Sequence, residues 1–154
     1  MLKLDKIDKQ LLNLLQKDSK IKISELSEQL NLSKTPIYER IKRFEKEGII
    51  SKYVAVVDKN RLGNSMVVFC SVSLDSQNLE SIEEFSTEIK QMPEVIECYL
   101  MGGLNDFLLK VIVQDLQAYH KFSTEKLASL SNVSQIKSTF VLNEIKQSSV
   151  IPLY

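Results

Sequence analysis

The sequence predicts an α+β chain of two modules, a helical N-terminal one and a βαββαβ C-terminal one, on three observations. Apolar residues recur at helical spacing up to about residue 48, then switch to segments that alternate strand and helix periodicity from residue 66 onward. The charge changes sign at the same place. Residues 1–64 hold 14 Lys and Arg against 9 Asp and Glu, and the remainder 6 against 11, so a neutral total conceals modules of +5 and −5. Finally, 154 residues, 44% of them hydrophobic, suffice for two small cores without disulfide or metal staples.

In the first module, Asp5 is placed to cap a helix running to about Lys17, with Ile7, Leu11, Leu14 and Leu15 on one face. A short second helix is expected from a cap at Ser24, burying Leu26 and Leu30, with Leu32 in the connecting turn. Ser33 then caps a third helix, Pro36 falls in its first turn and Gly48 supplies the left-handed stop. Tyr53-Val54-Ala55-Val56-Val57, preceded by Ile49 and Ile50, reads as extended chain in a short hairpin, which makes the module a winged helix-turn-helix. Its expected extent is residues 1–52, with a linker strand over 53–64.

The second module, residues 65–154, opens with a strand over Met66–Leu74 and a helix over 79–92 that carries Ile82, Phe85, Ile89 and Met92 on one face before Pro93. Strands over 95–101 and 107–113 follow, joined by Gly-Gly-Leu-Asn-Asp, then a helix over 116–130 and a strand over 136–145. Right-handed crossovers favour a ferredoxin-like four-stranded antiparallel sheet with both helices on one face. Apolar residues lie on both faces of its strands, as where Val68, Cys70 and Val72 alternate with Val67 and Phe69. A second copy is expected to cover the face that the helices leave open, which gives a homodimer.

Several function classes are excluded. No apolar run approaches the roughly 18 residues of a spanning helix, and the start, Met1-Leu2-Lys3-Leu4-Asp5-Lys6, has no secretory apolar region, so the expected location is the cytoplasm and no membrane partner is expected. Cys70 and Cys98 fall on strands separated by one other, roughly 9–10 Å apart at about 4.8 Å per strand step, and read as buried reduced thiols. His120 is the only histidine, and neither a metal-ligand spacing, a phosphate loop nor a nucleophile elbow occurs, so neither an enzyme nor a cofactor is expected.

What remains is recognition. Around the third helix, Ile37, Ile41 and Phe44 form one stripe, while Thr35, Tyr38, Glu39, Lys42, Arg43 and Lys46 face away from it. As the second helix of a helix-turn-helix in a +5 module, this face suits the major groove of double-stranded DNA, and Ser33, Lys34 and the helix N-terminus suit phosphate. A solvated helix face and a protein-binding module are the alternative readings. The glycines of the 101–106 turn read first as a hairpin needing positive φ.

Leu4-Asp5-Lys6-Ile7-Asp8, then Leu32-Ser33-Lys34-Thr35-Pro36-Ile37-Tyr38-Glu39-Arg40-Ile41-Lys42-Arg43-Phe44, together resemble the signature of the Lrp/AsnC transcription regulators. Gly103-Leu104-Asn105-Asp106-Phe107-Leu108-Leu109 is similar to the family's G-x-x-D-F/Y-L-L stretch, and Val141-Leu142-Asn143-Glu144-Ile145-Lys146 to its closing strand. The resemblance implies a DNA-binding homodimer, often built into tetramers or octamers, whose RAM-type C-terminal domain senses an amino acid or similar small molecule between subunits. It places Met101, Gly102, Gly103, Leu104 and Asp106 on one wall of that effector site, and Val133, Ser134, Ile136 and Ser138 of a neighbouring subunit on the other. Gly102 stands where many relatives have Thr. An architectural regulator without an effector is the alternative.

Overall fold

A computed structural model describes residues 3–63 and 66–153; the module boundary expected at residues 64 and 65 lies outside them. Two compact units result. One runs to Val56 and includes the segment from Lys146 onward, and the other is Val57–Ile145.

The first unit is built on α1 (Lys6–Lys17), α2 (Ile23–Leu30) and α3 (Lys34–Lys46). Asp5 caps α1 reciprocally: its carboxylate accepts the Asp8 N–H at 2.7 Å, and the Asp8 carboxylate accepts the Asp5 N–H at 3.0 Å. Ser24 is not a cap, because α2 begins at Ile23 and Lys22 occupies the cap position without a side-chain bond. Ser33 has the extended backbone of a cap, but its hydroxyl makes no capping bond to α3. Gly48, at φ +69°, supplies the expected left-handed stop. Leu11, Leu12, Leu26, Ile37 and Phe44 form the core.

Two expectations for this unit are corrected. No hairpin follows α3: residues 51–58 have no regular structure, and Val54 and Val56 stand 61% and 79% exposed. Extended β-branched chain becomes a strand only against a partner edge, and the described part of this unit offers none. The segment from Lys146 belongs to this unit rather than to the C-terminal domain, because Leu153 packs against the helical core and Ile151 exchanges two hydrogen bonds with Gln16.

The second unit has β1 (Met66–Leu74), α4 (Leu79–Lys90), β2 (Val95–Leu100), β3 (Phe107–Val113), α5 (Leu116–Lys121) and β4 (Val133–Phe140). The strands form one antiparallel sheet in the order β2-β3-β1-β4, the ferredoxin-like arrangement. After α5 the chain widens into a π-helical stretch, Phe122–Leu127, so the expected long helix is divided and ends earlier. β4 begins and ends earlier than the expected 136–145, since its partner β1 extends to Leu74, opposite Val133.

Val68, Cys70, Val72, Leu109 and Val111 are buried on the helix side of the sheet, under Phe85, Ile89, Tyr119 and Phe122. On the opposite face Phe69, Leu108 and Ile112 are half-buried, around Lys110, whose ammonium pairs with Glu97 at 3.1 Å. Glu97 also accepts the Tyr99 hydroxyl at 2.6 Å, and these two bonds hold its carboxyl below the usual carboxylate range. β3 separates the two cysteine-bearing strands as expected. Only Cys70 is buried, however, because β2 is an outer strand and leaves Cys98 exposed.

Candidate functional site

Ser33, Lys34, Thr35, Tyr38, Glu39 and Lys42 are all exposed along one side of α3, opposite the buried Ile37 and Phe44. Lys42 pairs with Glu45 at 2.9 Å and its ammonium lies 5.7 Å from the centre of the Tyr38 ring, so Glu45 pushes the lysine pKa up. Glu45 also accepts the Tyr53 hydroxyl at 3.0 Å.

Arg43 is placed differently. Its Nη2 donates to Asp8 at 2.6 Å, and Arg40 donates to the same carboxylate oxygen as well as to Asp5 at 2.8 Å. Asp8 is 1% exposed, so one buried carboxylate on α1 gathers two guanidiniums from α3. Arg43 therefore ties α3 to α1, while its side chain stays 39% exposed beside the other six residues. The Asp8 N–H and the Arg40 guanidinium hold the Asp5 carboxyl below its ordinary range. Neither Arg40 nor Asp8 stood out in the sequence as a positioning residue. The signal was there in two acids and two bases at equal spacing, Asp5 with Asp8 and Arg40 with Arg43.

At the second site, the 101–106 turn and the start of β4 meet the same end of β1. The Asp106 N–H donates to the Val72 carbonyl at 2.9 Å and the Asp106 carboxylate accepts the Leu74 N–H at 2.8 Å, while Leu74 lies opposite Val133. Ser134 donates its hydroxyl to the Ser73 carbonyl at 3.0 Å. Ser138 bonds the Tyr119 hydroxyl, which also contacts the Cys70 thiol at 3.3 Å. Val133 and Ile136 are half-buried, whereas Met101, Gly102, Gly103 and the 98% exposed Leu104 project freely.

One expectation about this turn changes. Positive φ among glycines of the described residues is confined to Gly48 and Gly63, so the turn does not need Gly102 and Gly103 for their backbone freedom. A Cβ at either would meet nothing within 4 Å. Asp106 is engaged by the sheet through the Leu74 N–H. Asp106→Ala is expected to cost about 1–2 kcal/mol in urea unfolding, because it strips a half-buried Leu74 N–H of its acceptor. A variant with an unchanged midpoint would show that this bond carries no stability. Among the described residues, no group of three His, Cys, Asp or Glu converges as a metal site, and no helix is long and apolar enough to cross a membrane.

Comparison with known proteins matches both units. Residues 4–51 match the winged helix-turn-helix DNA-binding family model and residues 67–151 the Lrp/AsnC ligand binding domain. The leucine-responsive regulatory protein of Escherichia coli (strain K12) is 39% identical over 146 residues, covering 95% of this chain and 89% of the relative. A transcriptional regulator of Neisseria meningitidis, solved as its L-methionine complex, superposes with a TM-score of 0.92 at 32% identity over 97% of both chains. An AsnC family regulator from Agrobacterium tumefaciens gives 0.91 at 33% identity, again over 97% of both chains.

Proposed function

Since the chain belongs to the Lrp/AsnC family of transcriptional regulators, with a DNA-binding helix-turn-helix and a ligand-binding domain, we propose that it acts in the cytoplasm as a homodimer that reads paired half-sites with α3. Thr35, Tyr38, Glu39 and Lys42 meet the major groove, and Ser33 and Lys34 meet phosphate at the helix start. Arg43 serves this contact from behind by holding α3 to Asp8. Two-fold symmetry sets the half-sites about one helical turn apart, or a multiple of it.

The single observation that carries this reading is the exposed, lysine-bearing face of α3, fixed against α1 by the buried Asp8. Two further features of the reading concern the second unit. The half-buried apolar face around Lys110 is covered by a second copy, and pairs assemble further into tetramers or octamers. The 101–106 turn of one subunit and Val133, Ser134, Ile136 and Ser138 of a neighbour hold an apolar L-amino acid. That class is supported by leucine in the name of the Escherichia coli relative and by L-methionine in the Neisseria meningitidis complex. Its binding shifts the spacing of the DNA-binding units, provided the two arrangements differ in effector affinity.

A salt titration on duplex DNA selected by the protein tests the DNA contact. Lys34, Lys42 and Lys46 are exposed on each α3. Neutralising about 6 phosphates per dimer gives a log–log slope near −5, and Lys34→Gln, removing two of these contacts per dimer, should flatten it by about 2. A slope near zero, or no binding at low salt, would overturn the reading.

A further inference from the structure

The chain passes between its two units twice, at Val56–Val57 and again at Ile145–Lys146. Lys59 and Glu144, each within three residues of one of these crossings, form an ion pair with side chains about three-quarters covered. The outgoing and returning chains therefore run side by side where they leave the second unit. What the returning chain does next is unusual for a segment without regular structure. Gln16 on α1 donates its amide N–H to the Ile151 carbonyl at 3.1 Å and accepts the Ile151 N–H at 2.7 Å, the bond pair a neighbouring strand would supply. Leu153 then reaches the helical core.

The docking is shallow. Ser149, Ile151 and Leu153 form one wall of an open cleft of about 570 Å³, faced by Leu12, Leu15 and Val54, and Ile151 itself is 68% exposed. Among the described residues, the segment is held to the helical unit by the Gln16 pair of bonds and the packing of Leu153. The same α1 carries Asp8, which grips Arg40 and Arg43 of α3.

We propose that residues 149–153 are a releasable strap: docked on α1 they give each DNA-binding unit a second tether, and this shortened double connection sets how tightly a dimer engages two half-sites at once. The proposal rests on the DNA-binding dimer described above. A short double tether holds the second unit at high effective concentration once the first has bound, and a single longer tether dilutes it. The strap acts only when two half-sites are present.

Gln16→Ala tests it in the full chain. Alanine has the higher helix propensity, so α1 itself is not weakened and only the strap bonds are removed. Leu153→Ser removes the apolar anchor independently. With duplexes carrying the selected site intact or with one half scrambled, both variants should bind the intact site about tenfold more weakly and accept altered half-site spacing. Both should keep the affinity of the unsubstituted chain for the scrambled one. Sedimentation should give an unchanged mass, and the Ile151 amide should exchange faster in Gln16→Ala. Unchanged affinity for the intact site, an equal loss on both duplexes, or an unchanged exchange rate at Ile151 would overturn the strap. Failure of the unsubstituted chain to bind either duplex would instead overturn the DNA-binding reading, and the strap with it.

Discussion

Asp8→Ala is expected to lower the stability of the DNA-binding unit by about 3 kcal/mol, a loss of more than about 10 °C in melting temperature for a unit this small. Asp8 is the one buried charged residue of the described core, and a single carboxylate oxygen receives both Arg40 and Arg43. Removing one partner of a buried ion pair costs about 3–5 kcal/mol because the remaining charge stays desolvated. Here the guanidiniums are 24% and 39% exposed and can rehydrate in part, which places the loss at the lower end. The reciprocal cap of α1 is lost in the same substitution. Urea unfolding followed by circular dichroism measures the effect. A midpoint unchanged from the parent chain would mean that packing of Leu11, Leu26, Ile37 and Phe44 alone positions α3. DNA affinity measured well below the melting temperature should also fall, since α3 keeps its contact residues and loses the tether that aims them.

Leu108→Arg is expected to split the proposed homodimer into monomers. Leu108 lies mid-strand on β3, opposite Tyr99 on one side and Ser71 on the other, on the sheet face that no helix covers. An arginine there places a second cation on a face that already carries Lys110. Two copies packed face to face would have to desolvate these charges without added anions. The isolated unit has room for the new side chain toward solvent, so its far-UV spectrum should stay that of the parent while the sedimentation mass falls. Affinity for a duplex with both half-sites should drop by about 10²–10⁴, the avidity contributed by linked binding, with little change for a single half-site. A variant that remains dimeric would assign the interface to another surface.

Much of this was legible because it is local or repetitive. Asp5 announces α1 in the residues beside it, Gly48 ends α3, and the βαββαβ rhythm admits few topologies once crossovers are right-handed. What escaped depends on partners far apart in sequence. Asp8 meets Arg43 across 35 residues, hinted at only by the equal spacing of two acids and two bases, and Gln16 meets Ile151 across 135, which no periodicity encodes. Arg43 read only as a DNA contact, since a helical wheel shows which way a side chain faces but not that it also meets Asp8 on another helix. The extended run at 53–57 carried strand propensity without a strand partner. Asp106, which the resemblance places on a wall of the effector site, likewise meets the Leu74 N–H 32 residues away, a contact its residue type alone does not announce.

The twofold crossing of the chain also bears on synthesis. The three helices leave the ribosome first and make mostly local contacts, which form fast, whereas β1 must wait for β3 and β4, some 40 to 70 residues downstream. Leu153 and Ile151 follow even β4 in the chain, so the helical unit receives its outermost pieces only after the sheet has been made. A nascent or prematurely terminated chain thus presents α1 with Leu12, Leu15 and Gln16 uncovered, a surface that chaperones and proteases can read as unfinished.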